Sequence, residues 1–597
     1  MTIVELIFTL LKIAFILVFC LAFAGALTWN DRRMSSMMQD RIGPNRARFF
    51  LPPTLARGMF AGPALLAAAG IGAWGWLTSF PDTVAGALRM TERILLTAEL
   101  SVFITWTVLA MLTTWAVRRG SSNALEAFLA EQVRDPRRVF YLGLVAHIAV
   151  FVLRYALRGT EWAASIKPAL FLAAPSVLAL LIAACGLLAA SKVPKEGFKL
   201  RVIGLLHTMA DGIKMIWKED FMPKRGDRLL HSIGPMLGMF PPLVVMAVVP
   251  FGDVLCFAKN AEGGIQWTQI LPVVSRDGVC AEAGIPMQIA NLDIGILFIF
   301  AVSGIGILGA AIGGWASDNK YSLLGALRAA GQLVSYEITL GMTLIGLLMI
   351  YSTFRLDDMV RWQGNNAWGV FVQPLAFFLF FIAATAETKR IPFDLPEGES
   401  EILGYFTEYS SMKFGMYFFS EYIEVVTSSA VMITLFFGGW NLPFLHRDGL
   451  TIAIGDAVLL KHAMTHGSVV ALQVVAFFLK VAAFAWLQVV VRWTLPRFRY
   501  DQLMKMCWRM LLPLSIANVF VTAILLLIID NASLMAKNAL GVAADLTQLT
   551  TMIAFVVAIV AMARWLLAPA KKHRVVLTST AKMVAEQGGT RHSPMQA

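Results

Sequence analysis

The sequence predicts an all-α fold: a polytopic integral membrane helix bundle of about thirteen transmembrane helices, with one amphipathic helix on the inner surface. Three observations carry this. Of 597 residues, 58% are hydrophobic and only 15% charged, against roughly a quarter charged in soluble domains. Mean hydropathy is +0.69. The apolar residues fall in runs long enough to cross a bilayer, and Lys and Arg concentrate in alternate loops between them.

A spanning helix needs about 20 largely apolar residues. Thirteen stretches qualify, near 4–28, 61–80, 94–117, 139–157, 169–190, 236–252, 294–313, 331–351, 370–387, 414–438, 467–492, 511–530 and 551–568. The first carries no basic segment before it and is followed by Asp31-Arg32-Arg33, so it is expected to be a retained helix with a stop-transfer flank. The span near 236–252 is short and holds Pro241 and Pro242. With the amino terminus outside, the inside segments collect Arg32 to Arg48, Arg118 to Arg138, Lys192 to Arg228, Lys320 with Arg328, Lys389 with Arg390, Arg492 to Arg509 and the tail from Lys571 to Arg574. Outside loops are poorer in both residues, which fits the count and the orientation. Residues 203–220 differ: apolar positions recur at helical spacing with charges between them, as in a helix lying on the inner surface. Periodicity alone fits a helix merely anchored in lipid headgroups equally well. The polar tail 578–597 is expected to be disordered.

The formal net charge of +12 would suggest nucleic acid in a soluble protein. Here it sits in membrane loops and orients the chain. Five cysteines form no Cys-x-x-Cys pair, so iron–sulfur or zinc ligation by this chain is not expected. Gly304-Ile305-Gly306-Ile307-Leu308-Gly309 matches a dinucleotide fingerprint but lies within an apolar helix, so it is read, with Gly313, as close helix packing. His462 and His466 have a metal-compatible spacing without a third ligand and are read as a surface pair. Cys256 and Cys280 share one outside loop, where a disulfide is possible.

Ionisable residues inside apolar spans cost several kcal/mol, roughly 2.5–3.5 on insertion scales, and usually face a bundle interior or a water-filled cavity. Candidates are Glu99, Arg154, Glu337, Glu387, Glu421, Glu424 and Lys480. Glu337, Glu424 and Lys480 lie deepest in their runs. The densest group follows the span near 370–387: Glu387, Asp394, Glu397, Glu399 and Glu401 fall within one short segment with Lys389 and Arg390. Carboxylates this close perturb one another and can share protons near neutral pH. A solvated acidic loop would have the same composition.

Five segments, in order, resemble the NuoH family, the quinone-channel membrane subunit of respiratory complex I. They are Gln39-Asp40-Arg41-Ile42-Gly43-Pro44-Asn45-Arg46; Ala210-Asp211-Gly212-Ile213-Lys214 running to Phe221; Gly314-Trp315-Ala316-Ser317-Asp318-Asn319-Lys320-Tyr321 through Leu327-Arg328-Ala329 to Ser335-Tyr336-Glu337; the acidic segment with Thr407-Glu408-Tyr409 and Ser420-Glu421-Tyr422; and Leu495-Pro496-Arg497-Phe498-Arg499-Tyr500-Asp501-Gln502-Leu503. The resemblance implies a subunit of proton-translocating NADH:quinone oxidoreductase, multi-pass in the bacterial cell inner membrane. Ubiquinone or another quinone would be its substrate, entering a tunnel from the lipid. FMN, iron–sulfur clusters and the NADH site would belong to partner subunits. Peripheral-arm iron–sulfur subunits and antiporter-like membrane subunits would be the partners. By the same resemblance Arg41, Arg46, Asp211, Lys214, Arg328 and Phe393 belong to the quinone tunnel. Glu337, Glu387, Arg390, Asp394, Glu397, Glu399, Glu401, Glu408 and Lys480 belong to the coupling loop and proton path.

The chain also departs from the family. Residues 1–48 hold the first helix and inner loop, and 203–530 the NuoH-like core. Between them, 49–202 reads as an insertion with four spans, an even number that returns the chain to the same side. Residues 531–597 add a further span and a basic tail. His207-Thr208 replaces the usual Gln-Pro, and the stretch from Glu401 to Glu408 is one residue short. The alternatives are the homologous membrane subunit of a membrane-bound hydrogenase-type complex and a secondary transporter. The second usually shows internal repeats, which are not evident here.

Overall fold

The computed structural model describes residues 3–39, 204–259, 265–270, 283–396, 404–454 and 457–566, with a few isolated positions besides. The chain divides into two compact units, one of residues 1–49 with 201–556 and one of 50–200 with 557–597. The last helix, Leu534–Leu566, begins in the first unit and passes into the second at Val557. The four spans expected within 49–202 and the tail 578–597 lie outside the described residues.

The first unit is a helix bundle. Its helices are α1 (Ile3–Met38), α2 (Leu206–Trp217), α3 (Arg228–Val248), α4 (Gly295–Ser303), α5 (Ile305–Ala316), α6 (Lys320–Tyr351), α7 (Leu356–Asn365), α8 (Gly369–Val372), α9 (Pro374–Glu387), α10 (Ser411–Phe436), α11 (His466–Thr494), α12 (Tyr500–Met506), α13 (Leu512–Asp530) and α14 (Leu534–Leu566). A π-turn over Cys507–Leu511 joins α12 to α13. The nine expected spans that fall on described residues are helical there, with 294–313 divided between α4 and α5 and 370–387 between α8 and α9. Seven helices among the described residues are long and apolar enough to cross a membrane, and α9 is a shorter apolar helix. The helical bundle expected from composition is thus observed.

The proline-containing span is a full helix. α3 carries Pro235, Pro241 and Pro242, and Asp227 caps its start by accepting from the Leu229 and Leu230 amides at 2.8 and 3.1 Å. Proline frees backbone carbonyls in a helix, and membrane bundles tolerate this where neighbours pack closely. Here the neighbour is α5. A Cβ added to Gly309 would lie 2.6 Å from the Gly238 nitrogen, and one added to Gly313 would lie 2.2 Å from the Tyr417 hydroxyl. The glycine run that mimics a dinucleotide fingerprint is therefore a helix-contact surface.

α2 is the surface helix expected from the periodicity. None of its residues is buried, and Met209, Ile213, Ile216 and Trp217 point outward. Its other side rests on α1 and α10: Arg32 pairs with Asp211 at 2.6 Å, and the Ser411 hydroxyl donates to the Met215 carbonyl at 3.0 Å.

Two small antiparallel sheets complete the loops expected to lie outside. One pairs β1 (Gly252–Lys259) with β2 (Ile265–Ile270) and β3 (Ala283–Met287), with Cys256 opposite Gly284. The other runs β4 (Leu445–His446), β5 (Gly449–Ile454), β6 (Ala457–Ala463). Cys256 and Cys280 form a disulfide with their Cα atoms 5.3 Å apart. His462 stands on β6, whereas His466 opens α11 fully buried, its Nε2 3.0 Å from the Val254 carbonyl. The expected surface pair is therefore corrected: a strand and a helix carry the two rings, and one is a core residue. Among the described residues no group of His, Cys, Asp and Glu is arranged to hold a metal.

Candidate functional site

Three helices bring carboxylates from distant parts of the chain to one place. α6 is started by Asn319, whose side chain accepts from the Tyr321 amide at 3.0 Å, and it carries Glu337 about five turns on. α9 ends at Glu387, and the chain then turns through Lys389 at φ 55°. α10 carries Glu421 and Glu424. Glu337, Glu387, Lys389 and Glu424 all line a narrow, partly enclosed cavity of about 90 Å³. Its remaining wall is mostly apolar and includes Pro241, Pro242, Ile299, Ile307 and Phe380. The Glu337 carboxylate faces the break between α4 and α5: a Cβ added at Gly304 would lie 3.6 Å from its Oε1.

The cations of the 388–396 turn hold two of these acids. Lys389 Nζ lies 3.0 Å from Glu424 Oε1, with both side chains largely buried. Burial favours the neutral amine, but the carboxylates of Glu424 and Glu421 outweigh it and hold the Lys389 ammonium above its ordinary range. Arg390 pairs with Glu421 at 2.8 Å and lies over the Tyr422 ring at 4.0 Å. Tyr422 donates to Asp31 at 2.9 Å, and Arg492 and Trp493 hold the same carboxylate. Asp31 thereby ties α1 to α10 and α11. Sequence reading placed it as a flank of the first span. Its position beside the inner end of that helix was the available signal.

The other expected site residues distribute around this cluster. Asp394 pairs with Arg497 at 2.8 Å. Phe393 is buried, stacks on Phe498 at 5.6 Å, and its carbonyl accepts from Gln332 at 2.7 Å. Glu408 accepts from Asn319 at 2.8 Å and does not line the cavity. Arg328 lies 5.5 Å over the Tyr500 ring. Asp211 meets Arg32, and Lys214 is exposed on α2. Lys480 is 6% exposed and donates to the carbonyls of Phe437, Gly439 and Asn441 at 2.9, 3.1 and 2.6 Å, with the Trp368 ring 4.4 Å away. It sits at the carboxyl end of α10, away from the carboxylate cavity. Arg41, Arg46, Glu397, Glu399 and Glu401 lie outside the described residues.

A second, polar cavity of about 540 Å³ lies among the sheets and α7. At its wall Asp253, 3% exposed, takes two hydrogen bonds from Arg447 at 2.6 and 2.9 Å, and Arg361 stands 3.5 Å away. Burial raises an aspartate, but the Arg447 hydrogen bond and the two guanidinium charges outweigh it and hold Asp253 below the ordinary carboxylate range. Sequence reading did not single out this pair, whose members are 194 residues apart.

The chain is similar in sequence to known proteins. The family model described as NADH dehydrogenase matches residues 194–523. The chain is 42% identical over 326 residues to the NADH-quinone oxidoreductase H subunit of Flavobacterium psychrophilum, spanning 54% of this chain and 85% of that protein. It is 42% identical over 332 residues to the NADH-quinone oxidoreductase H subunit of Flavobacterium johnsoniae, spanning 55% and 85%. It is 40% identical over 326 residues to the H subunit of NADH-quinone oxidoreductase numbered 1 in Cytophaga hutchinsonii, spanning 54% and 84%.

Proposed function

Because the chain belongs to the NADH dehydrogenase family that includes the H subunit of NADH-quinone oxidoreductase, and is thus a membrane subunit of that oxidoreductase complex, we propose that its bundle forms the quinone tunnel and links quinone reduction to a buried proton path. The observation that carries the coupling role is the cavity onto which Glu337, Glu387, Glu424 and Lys389 converge. Carboxylates sharing a cavity walled by apolar side chains bind protons one at a time, because each negative charge disfavours the next. A cation on one of them sets which acid stays charged.

In this reading, reduction of a quinone to a quinol takes up two electrons and two protons near the inner face. The electrons come from an iron–sulfur partner subunit. The change in charge is felt by the acidic segment that follows α9, where Glu397, Glu399 and Glu401 sit. That segment leads directly from Glu387 and Lys389, so a shift in its charge acts on the cavity through adjacent backbone. Arg41, Arg46, Asp211, Lys214, Arg328 and Phe393 would border the tunnel, and Glu408 and Lys480 would belong to the wider proton path. In this reading the protein would sit in a bacterial inner membrane, with peripheral-arm and antiporter-like subunits as neighbours. The insertion 49–202 is placed outside the family core.

The test is to purify the tagged chain gently from native membranes and identify what accompanies it. A flavin subunit that oxidises NADH, iron–sulfur subunits and antiporter-like subunits are expected. A nickel–iron hydrogenase in their place would remove quinone from the mechanism. Within the recovered complex, Glu399→Gln should lower quinone-linked oxidation or pumping without loss of assembly. Normal activity and normal pumping in that variant would reject the role of the acidic segment.

A further inference from the structure

His231 stands in the first turn of α3 with no exposed surface. Its Nδ1 lies 3.3 Å from Lys413 Nζ, so the ammonium donates and the imidazole accepts. Lys413 also meets Asp220 at 3.0 Å, and the Asp220 side chain is 47% exposed. The other ring nitrogen, Nε2, is sealed and has no hydrogen-bond partner among the described residues. The ring lies parallel to Tyr409 at 4.1 Å, and the Tyr409 hydroxyl donates to the Gly313 carbonyl at 3.1 Å. The sealed, unpaired Nε2 costs free energy, so packing alone is a poor account of this ring.

The surroundings limit what charges it meets. α10 presents Lys413 and Tyr417, the segment before it presents Tyr409, and the loop after α2 presents Asp220. α4 and α5 carry no titratable side chain. α1 turns Asp31 toward Arg492 and Tyr422, and Glu421 of α10 is held by Arg390. On its own helix, Asp227 is occupied by backbone amides beside the exposed Arg228.

We propose that His231 is a proton-exchanging residue of the coupled reaction, loaded from inner-face water through Asp220 and Lys413. This rests on the functional reading above. In the loading step the Lys413 Nζ–H bond breaks and a His231 Nδ1–H bond forms. The neutral lysine amine then takes a proton from a hydronium ion at the half-exposed Asp220 carboxylate, leaving water. The product holds an imidazolium against the face of Tyr409, which offsets part of the cost of charging a buried ring beside Lys413. It also sets two cations side by side, which drives Lys413 toward Asp220. Ser410 and Ser411, adjoining Lys413 in the chain, hold the segment after α2: the Ser410 hydroxyl donates to the Glu219 carbonyl at 2.9 Å and accepts from the Phe221 amide at 2.7 Å, and Ser411 donates to Met215 at 3.0 Å. Charge on His231 is therefore transmitted both to the amphipathic helix and to the segment that leads back to the acidic loop.

The experiment is His231→Gln in the whole complex, in native membranes. Glutamine keeps an acceptor for Lys413 but cannot gain a proton. Quinone-linked NADH oxidation would be measured from pH 6 to 9 together with protons translocated per quinone reduced. The variant should assemble, lose one ionisation from the pH profile and slow at least roughly tenfold at the optimum. An assembled variant with the wild-type rate and pH profile would overturn the proposal. If His231→Gln fails to assemble, Asp220→Asn at its exposed position reads the same step. It should slow the reaction and enlarge the solvent deuterium isotope effect, and an unchanged rate and isotope effect would overturn the proposal. A wild-type complex inactive with quinone would sink the functional reading itself. An active wild type beside an unaltered His231→Gln variant would sink only the role of the histidine.

Discussion

Arg447→Met tests the polar cavity on the face expected to lie outside. The substitution removes both Arg447 hydrogen bonds to Asp253, leaving the Val254 amide at 2.8 Å and Arg361 at 3.5 Å to oppose burial of a 3%-exposed carboxylate. Breaking a buried ion pair by removing one partner costs about 3–5 kcal/mol. The pH dependence follows from the two carboxyl states. In the wild type Asp253 is held below the ordinary carboxylate range, so its contribution is complete above about pH 4 and is lost only as pH falls through the depressed value. In the variant the folded state favours the neutral acid and takes up a proton on acidification. The stability gap should therefore be widest at pH 8 and narrow toward pH 5, by up to about 1.4 kcal/mol per pH unit across the titration. The assay is thermal unfolding of the purified complex in detergent, followed at four pH values for both forms. Equal midpoints at pH 8, or two parallel pH profiles, would refute the reasoning.

Two further substitutions probe the packing and the site. Gly309→Ala places a methyl 2.6 Å from the backbone of α3, where nothing can rotate away. Overpacking of this kind costs about 1–3 kcal/mol, so a lower unfolding midpoint and reduced yield of assembled complex are expected, and wild-type stability would show that the helices are free to part. Lys389→Met leaves Glu424 without its cation at 3.0 Å. Fewer protons should be translocated per quinone reduced, with partial recovery in Lys389→Arg. Full pumping by the assembled methionine variant would show that the pair is structural.

Much of this molecule is visible in its sequence because a bilayer imposes simple rules. A backbone in hydrocarbon must satisfy its own hydrogen bonds, so a long apolar run is a helix whatever surrounds it. That is why α3 forms across three prolines, and why the glycine pattern at 304–309 is a packing surface. Ionisable residues in such runs are costly, so Glu337, Glu421, Glu424 and Lys480 stood out before any fold was known. The two small sheets did not, because short strands in polar loops carry no comparable constraint. The environment of His466 was also hidden: its neighbours in sequence are polar, and its burial is set by Val254 across the fold.

Composition, span order and charge asymmetry thus determined the class of protein, its path through the membrane and the chemical character of the coupling segment. The sequence could not pair the charges. Lys389 finds Glu424 35 residues away, Asp31 finds Arg492 461 residues away, and His231 finds Lys413 182 residues away. Such pairings depend on which helix faces meet, and that is settled by packing between elements rather than by the pattern within any one of them. Tertiary structure alone decided that Glu337, Glu387 and Glu424 share a cavity while Lys480, more deeply buried, is held instead by three backbone carbonyls.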